Sequence, residues 1–276
     1  MNIITIDLEE WFHINNSSWI PVEEWPSLEN RVVKNTDLIL SILKKHNIKA
    51  SFFVLGWIAE QYPELIRDII KDGHDIGYHS YYHRIPRLQS KDEFENDLIK
   101  GIELLENILN KKIEFYRAPN FSLKNKWMLD CLIANGIKVS SSIKNPMQHN
   151  GIDLPKEPFF LKRGERQILE MPLNSFYMIL IKYAYSGGGY LRLLPYPLLK
   201  TIINSKAFNM VYLHPNDFDK NVPLNTSLGI IRNILNRIGT TTLPAKFEKL
   251  LNDFEFCSIS EAMGKINISR TQIINY

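Results

Sequence analysis

The sequence predicts an α/β fold in which parallel strands and their covering helices close into a single-domain (β/α) barrel. Three observations carry that expectation. Apolar runs of strand length alternate with stretches of helical periodicity along the 276 residues, the pattern of a parallel sheet with helical cover. Asp7, His79, Arg117 and His214 fall at or just past the ends of predicted strands, and a barrel gathers those ends at one mouth where an open sheet scatters them. No glycine-rich phosphate loop follows the first strand, which disfavours the nucleotide-binding form of the open sheet.

Ile3 to Asp7 reads as a buried strand. Val32, Ile39 and Leu43 recur at helical spacing before a second apolar run, Ala50 to Gly56, which completes a β-α-β unit. Pro63 suits the first turn of the next helix, Leu65, Ile66, Ile69 and Ile70 give it an apolar face, and Gly73 suits its exit. Asp75 to His79 is the third strand. Ser90 and Glu93 form a capping-box signature ahead of Phe94, Leu98, Ile102, Leu105 and Leu109, which share one helical face. Further strands are predicted at Glu114 to Ala118, Lys138 to Ser142, Gln167 to Met171 and Met210 to Leu213, with a helix near Asn125 to Asn135. One domain over residues 1–276 is expected, with the C-terminal remainder completing the barrel.

Composition narrows the partners. With 45% hydrophobic and 11% aromatic residues the chain can bury a large core. The 33 Lys and Arg against 30 Asp and Glu leave only +3 and no dense basic run, so nucleic acid is not an expected partner. Cys131 and Cys257 are far apart and neither belongs to a CxxC pair, so both are read as reduced core residues. No signal segment precedes the first strand and no apolar run reaches the roughly 18 residues of a membrane span. The expected location is therefore cytoplasmic, or peripheral to the inner membrane face.

Hydrolytic chemistry is suggested by two segments read together. Gly77-Tyr78-His79-Ser80-Tyr81-Tyr82-His83 sets two histidines four apart behind a strand, and Asp7-Leu8-Glu9 ends the first strand with two acids. Alternation turns Asp7 and Glu9 to one side and Glu10 to the other. An ion held by two imidazoles and a carboxylate keeps positions open for water and substrate, as catalytic sites do. Without thiolates such a set suits zinc, with cobalt, nickel or iron as alternatives. Alone, the histidines read as hydrogen-bonded structural residues and the acids as a helix cap.

Together with Tyr116-Arg117-Ala118-Pro119-Asn120, Val139-Ser140-Ser141-Ser142 and Val211-Tyr212-Leu213-His214-Pro215, these segments resemble the motifs of the polysaccharide deacetylases, the NodB-like homology family of carbohydrate esterases, from Thr5 to about Asp217. The resemblance implies a distorted barrel around one divalent metal. It assigns Glu9, His79 and His83 as ligands, with Glu10 the alternative carboxylate, Asp7 as general base and Arg117 as its holder. Asn120 would offer its amide to the oxyanion and His214 would be the general acid. Tyr116 and Leu213 would contact substrate, Leu213 as acetyl-pocket lining. The chain departs from the common pattern where Leu8 separates the acids, where Asn120 replaces a tyrosine, and in the serine-only segment, read as groove wall. Asp217 either orients His214 or caps a turn.

Glu170-Met171-Pro172 and Gly187-Gly188-Gly189-Tyr190-Leu191-Arg192 resemble the subgroup associated with exopolysaccharide gene clusters. No Lys-Ser/Thr signature follows Gly187 to Gly189, so this stretch reads as a flexible loop. The implied reaction is removal of an N-acetyl group from an amino sugar in a polysaccharide or a cytoplasmic precursor, nucleotide- or lipid-linked, with release of acetate. Phe176 to Ile181 and Leu191, Leu193, Leu194, Leu198 and Leu199 would meet a lipid carrier or a dimer partner, or more simply form a buried helix. A deformylase or cyclic-amide hydrolase is the alternative with the same site. A silent carbohydrate-binding barrel is the third reading, and Asp7, Arg117 and His214 speak against it because binding needs neither base nor acid.

Overall fold

The computed structural model describes residues 1–13, 20–144, 153–173, 176–178, 181–183, 186–224 and 229–276. The chain opens with β1 (Asn2–Leu8), then α1 (Val32–Lys45), β2 (Ser51–Val54), the short α2 (Gly56–Gln61) and α3 (Pro63–Lys71). Next come β3 (Asp75–Tyr78), α4 (Lys91–Leu109), β4 (Phe115–Tyr116), α5 (Lys126–Ala134) and β5 (Val139–Ser140). The antiparallel pair β6 (Phe159–Arg163) and β7 (Arg166–Glu170) follows, then a small hairpin-like sheet of β8 (Phe176–Met178) and β9 (Ile181–Tyr183). The remainder holds α6 (Gly188–Leu193), α7 (Tyr196–Asn204), β10 (Asn209–Leu213), α8 (Ile230–Arg237), α9 (Leu243–Asp253), α10 (Ile259–Lys265) and β11 (Ile273–Asn275).

Nine strands form one sheet in the order β10-β1-β2-β3-β4-β5-β7-β6-β11, parallel except for the β6–β7 pair. Its two faces carry separate cores. Ile4, Ile6, Leu8, Val211 and Leu213 pack against the helices. Ile3, Phe53, Phe115, Val139, Leu169 and Met210 form an inner cluster that the curved sheet encloses. This is the interior of a distorted barrel. Among the described residues the two edge strands, β10 and β11, do not pair with each other to close the ring, and a cavity of about 710 Å³ lies beside Met1, Phe208 and Ile266.

Local signals account for the elements that were foreseen. Ser90 accepts from the Glu93 amide and the Glu93 side chain from the Ser90 amide, the reciprocal cap of α4. Pro63 starts α3, and Gly73 leaves it at φ 83°, where glycine carries no Cβ penalty. Predicted strands at Glu114 to Ala118 and Lys138 to Ser142 shorten to two residues each, yet the ladder runs on through Arg117 N–H to the Tyr78 carbonyl and Ser141 N–H to the Tyr116 carbonyl.

The expectation of a buried helix across Phe176 to Ile181 is corrected by the backbone. Residues 176–178 and 181–183 are extended and antiparallel, and Ile179 and Leu180 lie outside the described residues. The run is β-rich in composition and too short for periodicity to separate strand from helix. Leu191 and Leu199 are buried core, whereas Leu193 and Leu198 are exposed.

Gly101 lies inside α4, where alanine would ordinarily gain up to about 1 kcal/mol of helix propensity. A Cβ there would fall 2.0 Å from the Tyr78 ring, whose hydroxyl is fastened to Asp97. Gly101→Ala is therefore expected to lower stability, by about 1–3 kcal/mol for overpacking. A urea midpoint at or above wild type would show that the ring has room to move.

Candidate active site

Strand parity places the polar residues. Thr5, Asp7 and Glu9 point from β1 and its exit toward the barrel axis, as do Arg117 past β4 and His214 past β10. Asp7, Glu9, His79, His83, Asn120 and His214 line one cleft of about 390 Å³. Tyr212 and Arg192 flank it.

The histidine segment needs an unusual backbone. Ser80 and His83 sit at φ 75° and 55°, a left-handed region that costs a non-glycine residue roughly 1–2 kcal/mol. Asp97 on α4 holds it there. Its carboxylate accepts from Tyr81 N–H, Ser80 Oγ and the Tyr78 hydroxyl. The first amides of α2 add to the support, Gly56 and Trp57 donating to the Ser80 and Tyr81 carbonyls. Both imidazoles are thereby turned to Glu9, whose Oε1 lies 2.9 Å from His79 Nε2 and 3.1 Å from His83 Nε2.

The chemistry of this set fits a cation. His79 Nδ1 lies 2.7 Å from the Arg117 carbonyl, an oxygen that only accepts, so Nδ1 carries a proton; Nε2 then donates to Glu9 when the ring is charged and offers a lone pair to a cation when it is neutral. Glu9, His79 and His83 are all buried and offer donor atoms within 4.8 Å of one another. An anionic oxygen between imidazole nitrogens calls for positive charge. Burial alone would raise the Glu9 pKa, but the His83 charge and hydrogen bonds from His79 and His83 hold it well below the usual carboxylate range. Glu10, the alternative carboxylate, does not reach the histidines. Its Oε1 accepts from the Arg31 and Val32 amides at the start of α1, and burial, partly offset by those amides, pushes its pKa up to about 7.

Arg117 is fully buried and shares Nη1 between Asp7 Oδ1 at 2.6 Å and Thr5 Oγ1 at 2.8 Å. Ser141 anchors its other end, accepting at its carbonyl and at Oγ. Ser142 Oγ accepts from the Ala118 amide, and Glu170 accepts from the Ser142 and Ile143 amides. The serine segment, fully buried and absent from the cleft lining, thus buttresses the arginine turn rather than forming groove wall. Asn120 adopts φ 57° on the cleft rim, a conformation that asparagine tolerates better than most side chains.

Opposite stands His214, its side chain 28% exposed, with Nε2 3.9 Å from Asp7 Oδ2. Asp217 Oδ2 accepts from the His214 amide and lies 3.1 Å from Nδ1. Asp217 also contacts Arg192 Nε at 3.1 Å. Burial would lower the His214 pKa, but the Asp217 hydrogen bond and the charges of Asp217, Glu9 and Asp7 outweigh it and raise it to about 9. The glycine run opens α6 against this pair. A Cβ on Gly188 would fall 1.8 Å from Asp217 Oδ2 and one on Gly187 2.6 Å from the Tyr212 ring. Gly187 and Gly188 are therefore close-packing positions rather than a loose loop.

Two expected substrate contacts are not in the cleft. Leu213 pairs in register with Ile6 and packs into the helix-facing core. Tyr116 likewise faces α4, with its ring against Phe94. Each precedes an inward residue, so alternation turns it outward. Tyr212 reaches the cleft instead, with the parity of His214. Asp97 is named by no motif of the sequence, while Ser141 and Arg192 stand in the serine and glycine segments without the roles they take here. The signal for Asp97 was a carboxylate on the buried stripe of α4, between Phe94 and Gly101.

Residues 24–139 match the polysaccharide deacetylase family, and residues 140–264 match a domain of unknown function, DUF3473, which is found in exopolysaccharide-associated deacetylases. A peptidoglycan-N-acetylglucosamine deacetylase of Bacillus cereus is 40% identical over 84 residues, 30% of this chain and 30% of that protein. A peptidoglycan deacetylase of Helicobacter pylori is 27% identical over 127 residues, 46% of this chain and 40% of that protein. The chain thus spans less than half the length of these relatives. Among solved structures, a protein assigned as a polysaccharide deacetylase from Mycobacterium smegmatis superposes with a TM-score of 0.68 at 18% identity, covering 100% of this chain and 92% of the other. A family 4 carbohydrate esterase pseudoenzyme from Bacillus anthracis gives 0.55 at 15% identity, covering 100% and 69%. At these identities the structures speak for the fold.

Two outcomes follow from the geometry. Asp97→Ala should weaken zinc binding about 10–100-fold, the range for loss of an outer support, as read by calorimetric titration; unchanged affinity would show that the histidine segment holds itself. In metal-free protein, an NMR titration should find the His214 imidazole protonated through neutral pH, and Asp217→Asn should move its pKa downward from about 9 by a unit or more. The sign is fixed by the raised folded value: the stabilisation is full below 6.5 and lost as pH rises through about 9.

Proposed function

Because the chain belongs to the polysaccharide deacetylase family, we propose that it is a metal-dependent hydrolase that removes an N-acetyl group from an amino sugar of a polysaccharide or its precursor, releasing acetate. The observation that carries this reading is the convergence of three parts on one cleft: a cation-binding trio, an arginine-held carboxylate and an aspartate-backed imidazole. Glu9, His79 and His83 would hold the ion, and their nitrogen and oxygen donors suit zinc, with cobalt, nickel or iron as other candidates. Such an ion supplies Lewis-acid polarisation of a carbonyl and acidifies water.

The chain's own residues divide the proton work. Asp7 uses Oδ1 for Arg117, which leaves Oδ2, on the His214 side, to accept the proton of an attacking water. Asn120 on the rim is the residue whose amide would meet the developing oxyanion. His214, kept protonated by Asp217, donates from Nε2 to the departing amine. The two groups work in opposite protonation states, so kcat/KM should be bell-shaped in pH.

Purified protein should be assayed for bound metal and for acetate and formate release from N-acylated amino sugars. Acetate release that a chelator abolishes and zinc restores supports the reading; formate alone would favour a deformylase, and neither product a silent barrel. Asp7→Asn should retain metal and lose more than about 100-fold in turnover, and wild-type turnover would remove Asp7 from its role. His214→Ala should slow an N-acetyl sugar far more than an acetyl ester with a good leaving group, because only the amine needs a proton to depart. Equal slowing of both, with metal retained, would assign His214 to binding.

A further inference from the structure

Helix α8 is built inside out. None of its residues is buried, and its apolar side chains are the outward ones: Ile230 is 80% exposed, Ile231 74%, Ile234 51% and Leu235 45%, with Ile238 continuing the patch at 43%. Its polar residues do the holding. Asn233 and Asn236 are half-buried, and Arg237 reaches back to the Val222 carbonyl. A helix whose stability came from its own burial would be turned the other way. Five exposed aliphatic side chains on one helical face mark a place where something apolar is met.

The position of the helix is equally specific. Arg192 Nη1 donates to the carbonyls of Leu235, Asn236 and Ile238 at its C-terminal end, while Nε of the same residue contacts Asp217. Asn236 itself lines the catalytic cleft. The apolar patch therefore adjoins the cleft mouth, joined to the His214 side of the site through one guanidinium.

We propose that the outward face of α8 docks on an anionic lipid bilayer and lays the cleft mouth against the membrane surface. Charge favours this occupant: from Lys220 to Thr242 the chain carries Lys220, Arg232 and Arg237 and no acidic residue, the combination of aliphatic anchors and basic flanks that lies in a lipid interface. Size favours it over a second copy of the chain. The patch is on the order of the largest found on monomers, about 300–600 Å², below the ~800 Å² that each partner of a stable pair contributes. Docking stands independently of the reaction. Its use, bringing an amino sugar at the membrane surface within reach of Asp7 and His214, rests on the function proposed above.

The test is co-sedimentation of the full chain with mixed phosphatidylcholine–phosphatidylglycerol vesicles and with pure phosphatidylcholine vesicles. Wild type is expected to bind the mixed vesicles, less so as salt rises, and the pure ones weakly. The variant Ile231→Glu/Ile234→Glu should lose about tenfold or more in bound fraction while keeping its circular dichroism and its turnover of a soluble acetyl ester. If that variant fails to fold, Ile230→Asp takes its place, since Ile230 is the most exposed apolar residue of the helix at 80%. No binding of wild type to either vesicle, equal binding by the variant, or a wild-type dimer that the variant dissociates in light scattering would each overturn the proposal, the last by making α8 a contact between copies. Because vesicle binding is read without turnover, failure of the deacetylase reading would leave this result intact.

Discussion

Both halves of the site hang on one buried guanidinium. The side chain of Arg117 orients Asp7 and Thr5, and its backbone carbonyl fixes the ring of His79. Taking a charge into an interior costs several kcal/mol, repaid only where its donors are matched. Here Asp7, Thr5 and Ser141 accept from Nη1, Nε and Nη2, and the guanidinium carbon lies 4.2 Å from the Phe53 ring centroid. Loss of one partner from such a pair typically costs about 3–5 kcal/mol, because the other charge stays buried and unmet. The position of the base is thus coupled to the integrity of the barrel interior, and the cation site to the base through the peptide of the same residue.

The sheet explains why these residues and not their neighbours face the cleft. In β1 and β10 the register sets Thr5 beside Tyr212 and Ile6 beside Leu213. A one-residue shift along such a strand exchanges its two faces, so Leu213 and Tyr116, to which the family resemblance gives substrate contacts, fall on the face turned away from the cleft. Their large apolar bodies belong to the layer between sheet and helices. Tyr212, which the sequence alone presents as one more aromatic residue in an apolar strand, is the one with room to meet a ligand.

The fold class was legible because it is written in local periodicity: β1 to β4, α1, α3, α4 and α5 each carry an apolar stripe, a cap or a proline within a short window. The short segments α2, β6, α6 and β11 offer no comparable signal and are stabilised by what they touch, as when β11 pairs with β6. The site was legible in its histidines and strand-end acids, whose spacing is itself chemical information. Its supports were not. Asp97 acts on a loop 16 to 19 residues away in sequence, as its bonds to Tyr81 and Tyr78 show, and Ser141 acts on Arg117 across 24 residues. Such partnerships exist only once the chain is folded, so a single sequence shows the residues without the contacts.

The division between the two matched segments falls inside β5, between Val139 and Ser140, and this has a physical consequence. Glu9, His79, His83, Asp7 and Arg117 lie before it; Ser141, His214, Asp217 and Arg192 lie after it. The later segment therefore supplies the imidazole proposed as the acid, the carboxylate behind it and a clamp on the proposed base's arginine. It also explains two of the three glycines, Gly187 and Gly188. With the Cβ position of Gly188 only 1.8 Å from Asp217 Oδ2, any side chain there would push α6 off the carboxylate and carry Arg192 with it. The contact that steadies Asp217 and the contact that steadies α8 are made by that same arginine, so the glycine run, the acid and the apolar rim of the cleft are placed by a single packing constraint.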